Sequence, residues 1–310
     1  METKLNYKRT FLIALAFLSI CSFWQMYDNI IPLILQNTYH LGETMTGAVM
    51  ALDNVLAIFL LPVCGMLSDK VHTKLGRRMP FIVVGTILAV IFMMMLPMID
   101  NAEKARWATG GSFSNQVFFL GVLFLTLVSM GLYRSPAVAL MPDVTPNHLR
   151  SRANAVINLM GAVGGVYALI MIKVLVGKGE TPDYLPLFAS IAAVMAIAVG
   201  ILVITIRENK LREEVEKAEA ANADTIEEKA MAEGVEAAGE IEAVGDTGEA
   251  KAFEEKQQTA KTESAKDMPK DVKRSMYFML ASIFLWFTAY NAVTTAFSRY
   301  TKVVWKMEGG

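Results

Sequence analysis

Long apolar runs, almost free of charged residues, constrain the fold of this chain more than any other feature of its sequence. Crossing about 30 Å of hydrocarbon takes roughly 20 apolar residues in a helix. Segments of that kind occur at 10–35, 46–67, 80–99, 116–140, 153–176, 185–206 and 275–297. The first is too long for a signal-peptide core and has no small-residue cleavage site, so it is expected to stay in the mature protein. The runs predict an all-α polytopic membrane protein.

Charge is concentrated in one polar segment. Residues 207–274 hold 19 of the 30 acidic and 12 of the 29 basic side chains, a net charge of −7, and the rest of the chain carries +6. The start of this segment, 208–221, is predicted to be a charged helix that continues the sixth span. The part 234–267 is too polar and too interrupted by glycine to build a core, which predicts disorder.

The composition also excludes several classes of protein. The basic residues form no continuous stripe, which argues against nucleic-acid binding. Cys21 and Cys64 both lie in apolar runs and offer neither a disulfide framework nor metal-ligand spacing. The sequence has no glycine-rich phosphate loop, so neither ATP nor another cofactor is expected. The histidines at 40, 72 and 148 stand apart from one another in loops, so we expect no metal site.

Lysine and arginine in short loops predict the orientation. They are frequent at the amino terminus and after the second and fourth spans, and less frequent in the alternate loops. We therefore expect a multi-pass protein of the cell (inner) membrane, in contact with the lipid bilayer, with a cytoplasmic amino terminus. The predicted cytoplasmic segments are 1–9, 68–79, 141–152 and 207–274, and the predicted external ones are 100–115 and 177–184.

Six spans, a long charged loop and another span are typical of transporters built from two six-helix halves. The predicted domains are a six-helix amino-terminal bundle (1–206), an acidic loop that is partly helical and partly disordered (207–274), and a seventh helix that starts a carboxy-terminal bundle (275–310). Five further spans would be needed to finish that second bundle. The sequence therefore predicts a carboxy-terminal half that is missing from this chain.

The loop between the second and third spans carries a distinctive group of residues. Gly65 permits close helix approach at the end of a span. Asp69 places a carboxylate at the membrane face, where we expect it to accept from a helix amino terminus and to pair with a basic residue. After Gly76, the pair Arg77-Arg78 can anchor the third span at anionic headgroups or reach carboxylates on neighbouring helices. The ordinary excess of lysine and arginine in cytoplasmic loops does not explain this combination of residue types and positions.

This loop resembles the G-x-x-x-D-R/K…G-R-R/K pattern of the major facilitator superfamily. The longer spacing before Gly76 and the following Met-Pro-Phe-Ile are similar to the glycoside–pentoside–hexuronide symporters and the related sucrose–proton symporters. The run from Tyr133 to Asp143, which includes Arg134, resembles R-G-P-A-R-A-L-x-x-D of the sucrose-type branch. Ser and Val replace its Gly and second Arg, so the role of that second Arg is not carried over. Arg150-Ser-Arg152-Ala-Asn-Ala resembles R-x-R-A-N-A at the start of the fifth helix.

The resemblance implies a transporter and not an enzyme. Its melibiose-type members use two aspartates one turn apart on the second helix for sodium coupling. Leu61 and Ala57 stand at those positions here, which favours proton coupling and a sucrose-type relative.

Charged residues inside spans are expensive, so each is a hypothesis of function. Asp28 lies in the outer half of the first span beside Asn29. Asp53 lies in the second span beside Asn54. About 24 Å of helix separates it from Asp69 in the loop that follows this span. The two acids are expected at similar depth, where one could carry a proton or bind sugar. Helix capping or packing near the outer interface explains them equally well.

Three further groups of residues are open to more than one interpretation. Arg134 could pair with Asp69 or Asp143 as a gate element, or face the central cavity. Trp24 and Tyr27 could stack on the C–H face of a sugar, or they could contact lipid or pack in the core. Asn291 in the seventh span could contact a sugar or make an interhelical hydrogen bond.

The sequence as a whole predicts a secondary active transporter that carries a sugar or glycoside, for example a disaccharide, together with a proton by alternating access. One alternative is a transporter of the same fold with another substrate, such as an efflux antiporter. Another is a membrane scaffold that transports nothing and presents the acidic loop to a partner protein.

Overall fold

The structure is a computed structural model of the 310-residue chain. It describes residues 6–71, 73–109, 115–177, 182–215 and 217, with short pieces between 274 and 293. The statements below concern these residues.

The described chain is almost entirely helical. The helices are α1 (Tyr7–Asn37), α2 (Glu43–Met50), α3 (Leu52–Lys70), α4 (Met79–Ala108), α5 (Gln116–Asp143), α6 (Arg150–Leu175) and α7 (Leu185–Thr205), with a 3₁₀ turn at Asn147–Leu149. Among the described residues, six helical segments are long and apolar enough to cross a membrane, with α2 and α3 together forming the second. The first six predicted spans are confirmed.

Local sequence signals explain where several helices begin. The side chain of Asn6 accepts a hydrogen bond from the N–H of Arg9 and so caps α1. Pro80 and Pro186 lie in the first turns of α4 and α7, where the missing proline N–H costs nothing. The helix α4 continues beyond the predicted end at residue 99, because its polar residues find partners outside the apolar core.

Those partners form a polar cluster around the end of α4. Asp100 is fully buried and accepts hydrogen bonds from the hydroxyl of Thr38 (2.6 Å) and the ammonium of Lys104 (2.5 Å). Lys104 also donates to the carbonyl of Pro182. Hydrogen bonds from Asn101 and from the backbone of Leu185 hold the pKa of Asp183 below its usual range. The cluster ties the ends of α1, α4 and α7 together.

The helix α1 crosses the bundle with much of its surface buried, and it packs along α6 and α7. Gly164 on α6 lies directly against the backbone of α1, since a Cβ at this position would come within 2.1 Å of the carbonyl oxygen of Leu18. The hydroxyl of Ser22 donates to the carbonyl of Gly164 at 2.9 Å. Small residues at a crossing allow this close contact between helices.

A second close crossing brings α4 onto α5. A Cβ at Gly85 would lie 2.6 Å from the backbone nitrogen of Tyr133, so only glycine fits. The buried Tyr133 hydroxyl in turn makes hydrogen bonds to Ser19 (2.7 Å) and to the carbonyl of Ala16 (3.1 Å) on α1. The tyrosine therefore joins α5 to the central helix of the bundle.

The spans differ in how far the bundle covers them. In α2–α3 only 11% of the most apolar window is buried inside the protein, and in α6 only 28%, against 44–56% in the other spans. These two spans thus lie at the periphery of the bundle.

The chain divides into two compact units, residues 1–219 with 307–309 and residues 220–306 with 310, and the predicted seventh span belongs to the second. Its described residues, which include Tyr277–Met279 and Leu285–Trp286, are helical. Asn291 and the central part of the acidic loop lie outside the described residues. The predicted domain boundaries and the disorder of 234–267 stay predictions.

Candidate functional site

A cleft between α1 and α6 forms the larger of two cavities beside the in-span charges. Its volume is about 470 Å³, within the range of small-molecule sites. Positions three and four apart share one face of a helix, and this periodicity brings the lining residues of each helix together. The lining consists of Phe17, Cys21, Trp24, Gln25 and Asp28 on α1, and Ile157, Asn158, Gly161, Ala162, Gly165, Val166 and Leu169 on α6.

Three polar side chains enter this otherwise apolar cleft. Asp28, Gln25 and Asn158 supply carboxylate and amide groups on its two walls. The spacing between Gln25 and Asp28 could have been recognised in the sequence, because residues three apart face the same way. Asn158 is an isolated polar residue in an apolar span. Neither Gln25 nor Asn158 was predicted from the sequence as a site residue.

A much smaller pocket lies between α1, α3 and α5. Its volume is about 20 Å³, enough for roughly one water molecule. Trp24, Asp53 and Arg134 supply its polar lining among leucine side chains. Asn54 is exposed and donates a 3.0 Å hydrogen bond to the Asp53 carboxylate. Asp28 and Asp53 therefore line different cavities.

Trp24 borders both cavities. Arg134 lies over its ring, with the guanidinium carbon 5.5 Å from the ring centroid. The ion pairs of Asp69 and Asp143 are made with other arginines. The predicted pairing of Arg134 with either of these acids is therefore wrong, and the alternative that it faces a cavity describes its position. The cation is compensated within the membrane by an aromatic face.

The aromatic residues of α1 divide into lining and core. Tyr27 is 1% exposed and stacks on Phe23 at 6.1 Å, so it packs in the core and lines neither cavity. The indole N–H of Trp24 and the hydroxyl of Tyr27 have no hydrogen-bond partner among the described residues. Asn29 donates back to the carbonyl of Gln25 at 2.7 Å and is outside the two linings.

A network of charged side chains covers one end of the bundle. We call this end the basic face and define it by residues 68–79, 141–152 and 206–215. Arg78 is buried and contacts Asp143 (2.5 Å), Asp69 (3.0 Å) and the hydroxyl of Ser68 (3.1 Å). Arg77 also binds Asp143, at 2.8 Å, and this hydrogen bond raises the pKa of Arg77 above its usual value. The prediction that Asp69 pairs with a basic residue is confirmed.

The carboxylate at the start of α4, however, is not Asp69. Glu208 lies just after α7, is 1% exposed, and accepts hydrogen bonds from the backbone N–H groups of Arg77, Arg78 and Met79 at 3.0–3.1 Å. The other predicted role of Asp69, as the acceptor at a helix amino terminus, is therefore wrong for α4, where Glu208 is the acceptor. No sequence pattern marks Glu208, because its partners are backbone groups about 130 residues away.

The remaining motif residues have simpler positions. Gly65 faces Ser135, whose hydroxyl donates to the carbonyl of Leu61 at 2.9 Å, so the motif glycine lies at the contact of α3 with α5. Arg150 donates to the carbonyl of Pro142 at 2.9 Å. Arg152 is exposed.

The described residues contain no group of three or more His, Cys, Asp and Glu side chains that could hold a metal ion. The chemistry that the site offers is instead hydrogen bonding, aromatic stacking and charge.

Curated relatives match part of the chain. It is 26% identical to the sucrose transport protein SUT3 of Oryza sativa subsp. japonica over 137 residues, which are 42% of this chain and 27% of that protein. It is 36% identical to the sucrose transport protein SUC4 of Arabidopsis thaliana over 117 residues, 35% of this chain and 22% of that protein. In both comparisons the match spans less than a third of the relative.

A sequence profile of a whole family extends further. The profile of the Major Facilitator Superfamily matches residues 5–307, which is nearly the whole chain. The six apolar spans and the charge network between the second and third spans agree with that match. The chain belongs to the Major Facilitator Superfamily of membrane transporters.

Proposed function

We propose that this protein is a secondary active transporter that carries a sugar or glycoside, such as a disaccharide, together with a proton. The observation that carries the proposal is the α1–α6 cleft, where Trp24, Gln25, Asp28 and Asn158 bring aromatic, amide and carboxylate groups together inside the membrane. The likeness to sucrose transport proteins supports a sugar as the substrate.

The side chains in the cleft suit the two faces of a sugar. The Trp24 ring can stack on C–H groups of a sugar. Gln25 and Asn158 each offer both a donor and an acceptor, which a ring of hydroxyl groups requires. Asp28 can accept from the sugar when it is ionised and can hold a proton when it is neutral. We assign sugar binding to this cleft and proton binding to Asp28.

Asp53 and Arg134 have a related role in this proposal. Both line the small pocket that Trp24 separates from the cleft. A change in either charge would act on the Trp24 ring and hence on the sugar site. We assign to Arg134 the orientation of Trp24, and to Asp53 a second position for the proton.

Alternating access requires a second helix bundle on the other side of the cleft. The relatives are much longer than the part that this chain matches, which supports such a carboxy-terminal bundle as a partner. We further propose that the basic face is cytoplasmic, in a cell (inner) membrane, because lysine and arginine concentrate there. Halves that rock about the cleft would then open it to each side in turn.

Uptake in membrane vesicles tests the proposal. The protein is expressed from its whole coding region, and labelled disaccharides, monosaccharides and organic acids are offered with an inward proton gradient. We expect accumulation of a glycoside that collapses when a protonophore is added. Extrusion of the compounds would support an efflux antiporter instead, and no movement of any compound would support the scaffold alternative.

A further inference from the structure

The segment after α7 begins with a buried carboxylate, which is unusual at a membrane surface. Glu208 is 1% exposed, and a buried charge is stable only when its oxygens are hydrogen bonded. Both oxygens accept from the first backbone N–H groups of α4. No side chain within α4 or at its N-cap position performs this role, so Glu208 supplies the cap and its charge faces the positive end of the helix.

The loop before α4 is shaped to receive this side chain. Gly76 has a φ of +127°, which L side chains rarely adopt, and a Cβ there would lie 2.1 Å from a carboxylate oxygen of Glu208. The next residue, Asn209, donates to the carbonyls of Thr73 (3.1 Å) and Lys74 (3.4 Å). Two successive residues thus hold the loop 73–78 along its length.

The rest of this short segment is also docked. Residues 208–215 are helical, and Leu211 is 8% exposed. Glu214 makes a 2.9 Å ion pair with Arg9 near the start of α1. The beginning of the acidic segment is therefore a packed part of the basic face.

The residues that Glu208 holds by their backbone are the two arginines of the loop motif. Their side chains run the other way, to Asp143 at the end of α5 and Asp69 at the end of α3. Fixing the backbone of Arg78 restricts where its guanidinium can lie. A single arginine thereby connects the ends of α3 and α5 to the segment that follows α7.

We propose that Glu208 is a positioning residue for Arg77 and Arg78, and that residues 207–215 form part of a gate, formed by the charge network of the basic face. The first statement concerns only the arrangement of this chain. The second rests on the proposed function, because a gate has meaning only in a transporter.

A cross-linking experiment tests the positioning. Cysteines are placed at Lys74 and Asn209 after Cys21 and Cys64 are replaced by alanine, and a short bismaleimide is added to membranes. Glu208→Gln keeps the shape of the side chain but removes its charge and turns an N–H₂ group toward N–H donors. We expect cross-linking to be at least fivefold slower than with Glu208, and an equal rate would overturn the proposal.

The matched control is Glu213→Gln, which removes an acid from the same short helix. Glu213 is exposed and pairs with Lys217, so the cross-linking rate should not change. Glu208→Asp keeps the charge on a shorter side chain and should retain more cross-linking than Glu208→Gln. If Glu208→Gln does not reach the membrane, Glu208→Asp decides: a rate equal to that of Glu208 contradicts positioning, and a reduced one supports it.

A double-mutant cycle separates positioning from simple capping of α4. If Glu208 acts through the arginines, Glu208→Gln and Asp143→Asn should be non-additive in the thermal unfolding midpoint. Additive losses would show that Glu208 only caps the helix, and would overturn the positioning role.

Transport tests the gate. In the protein from its whole coding region, Glu208→Gln should lower the maximal uptake rate at least fivefold and change KM less than twofold. A normal rate in this variant, with cross-linking lost, would overturn the gate but keep the positioning. Absence of uptake by the unaltered protein would instead contradict the proposed function and leave the cross-linking result unaffected.

Discussion

Arg134 and Trp24 form a cation–π pair inside the membrane-spanning part of the bundle, with the guanidinium carbon 5.5 Å from the ring centroid. The pair joins α5 to α1, and Asp53 of α3 lines the same small pocket. The Trp24 side chain also lines the α1–α6 cleft. The tryptophan is therefore the point at which the in-span arginine can influence a bound ligand.

The first prediction concerns this tryptophan. Trp24→Ala removes both the stacking surface and the partner of Arg134, an interaction worth about 2 kcal/mol when it is shielded from water. We expect KM for sugar exchange to rise about tenfold, since roughly 1.4 kcal/mol corresponds to a factor of ten. Trp24→Phe should change KM less. The control is Trp107→Ala, because Trp107 is exposed beyond the apolar part of α4; an equal effect of both alanine variants would remove Trp24 from the site.

The second prediction concerns the crossing of α1 and α6. Gly164→Ala forces a methyl group against the Leu18 carbonyl, whereas a methyl group at Gly165 would meet the Gln25 side chain at an ordinary 3.8 Å. Overpacking of this kind costs about 1–3 kcal/mol. We expect Gly164→Ala to lower the thermal unfolding midpoint in detergent by several degrees and Gly165→Ala to leave it nearly unchanged. Similar midpoints for the two variants would contradict the observed crossing.

The spans could be predicted from the sequence because the membrane imposes one simple requirement, a run of about 20 apolar residues. The ends could not, because they depend on partners from other parts of the chain. The helix α4 extends past residue 99 since Asp100 finds Thr38 and Lys104, which hydropathy does not reveal. The break at Ala51 between α2 and α3 was likewise not predicted.

The candidate site was predicted only in part, and the reason is the same. In-span charge drew attention to Asp28, Asp53 and Arg134, which do line cavities. The crossings of the helices decide which cavity each of these residues lines. These crossings cannot be inferred from a single sequence. Glu208 was missed because an acid in an acidic segment looks solvated, and only the fold brings the start of α4 to it.

The third prediction compares the two acids that bind Arg78. The side chain of Asp143 is 17% exposed and lies 2.8 Å from Arg77 and 2.5 Å from Arg78, whereas that of Asp69 is 50% exposed and lies 3.7 Å and 3.0 Å from the same arginines. Removing Asp143 leaves both arginines to the half-exposed Asp69, and loss of a largely buried pair costs about 3 kcal/mol, while exposed pairs contribute about 0–1 kcal/mol. Asp143→Asn should therefore destabilise the protein more than Asp69→Asn, as measured by unfolding in a denaturing detergent. Added salt should reduce the effect of Asp69→Asn in particular; the reverse order of destabilisation would contradict the network.

The fourth prediction concerns orientation. Lys74 and Thr44 are exposed near opposite ends of the α2–α3 span, so a cysteine at either position is accessible to a reagent. If the basic face is cytoplasmic, an impermeant maleimide should label a cysteine at Thr44 in intact cells. It should label one at Lys74 only after the membrane is permeabilised. The opposite pattern would reverse the proposed topology.

The fifth prediction concerns coupling between proton and sugar. Asp28 lines the α1–α6 cleft together with Gln25 and Asn158, whereas Asp53 lines the small pocket together with Arg134. A proton bound at Asp28 would change the groups that meet the sugar directly. Asn keeps the shape of Asp and one hydrogen-bonding oxygen, but it cannot take up and release a proton.

Asp28→Asn should therefore abolish uphill sugar uptake and leave exchange of sugar across the membrane largely intact, because binding survives when coupling fails. Asp53→Asn should reduce uptake less, since it acts on the sugar site only through Arg134 and Trp24. Vesicles with and without an inward proton gradient separate the two activities, and each measurement is made once in sodium and once with sodium replaced by choline. Normal proton-driven accumulation in the double variant would exclude both acids from the mechanism, and uptake that requires sodium would exclude the proton as the coupled ion.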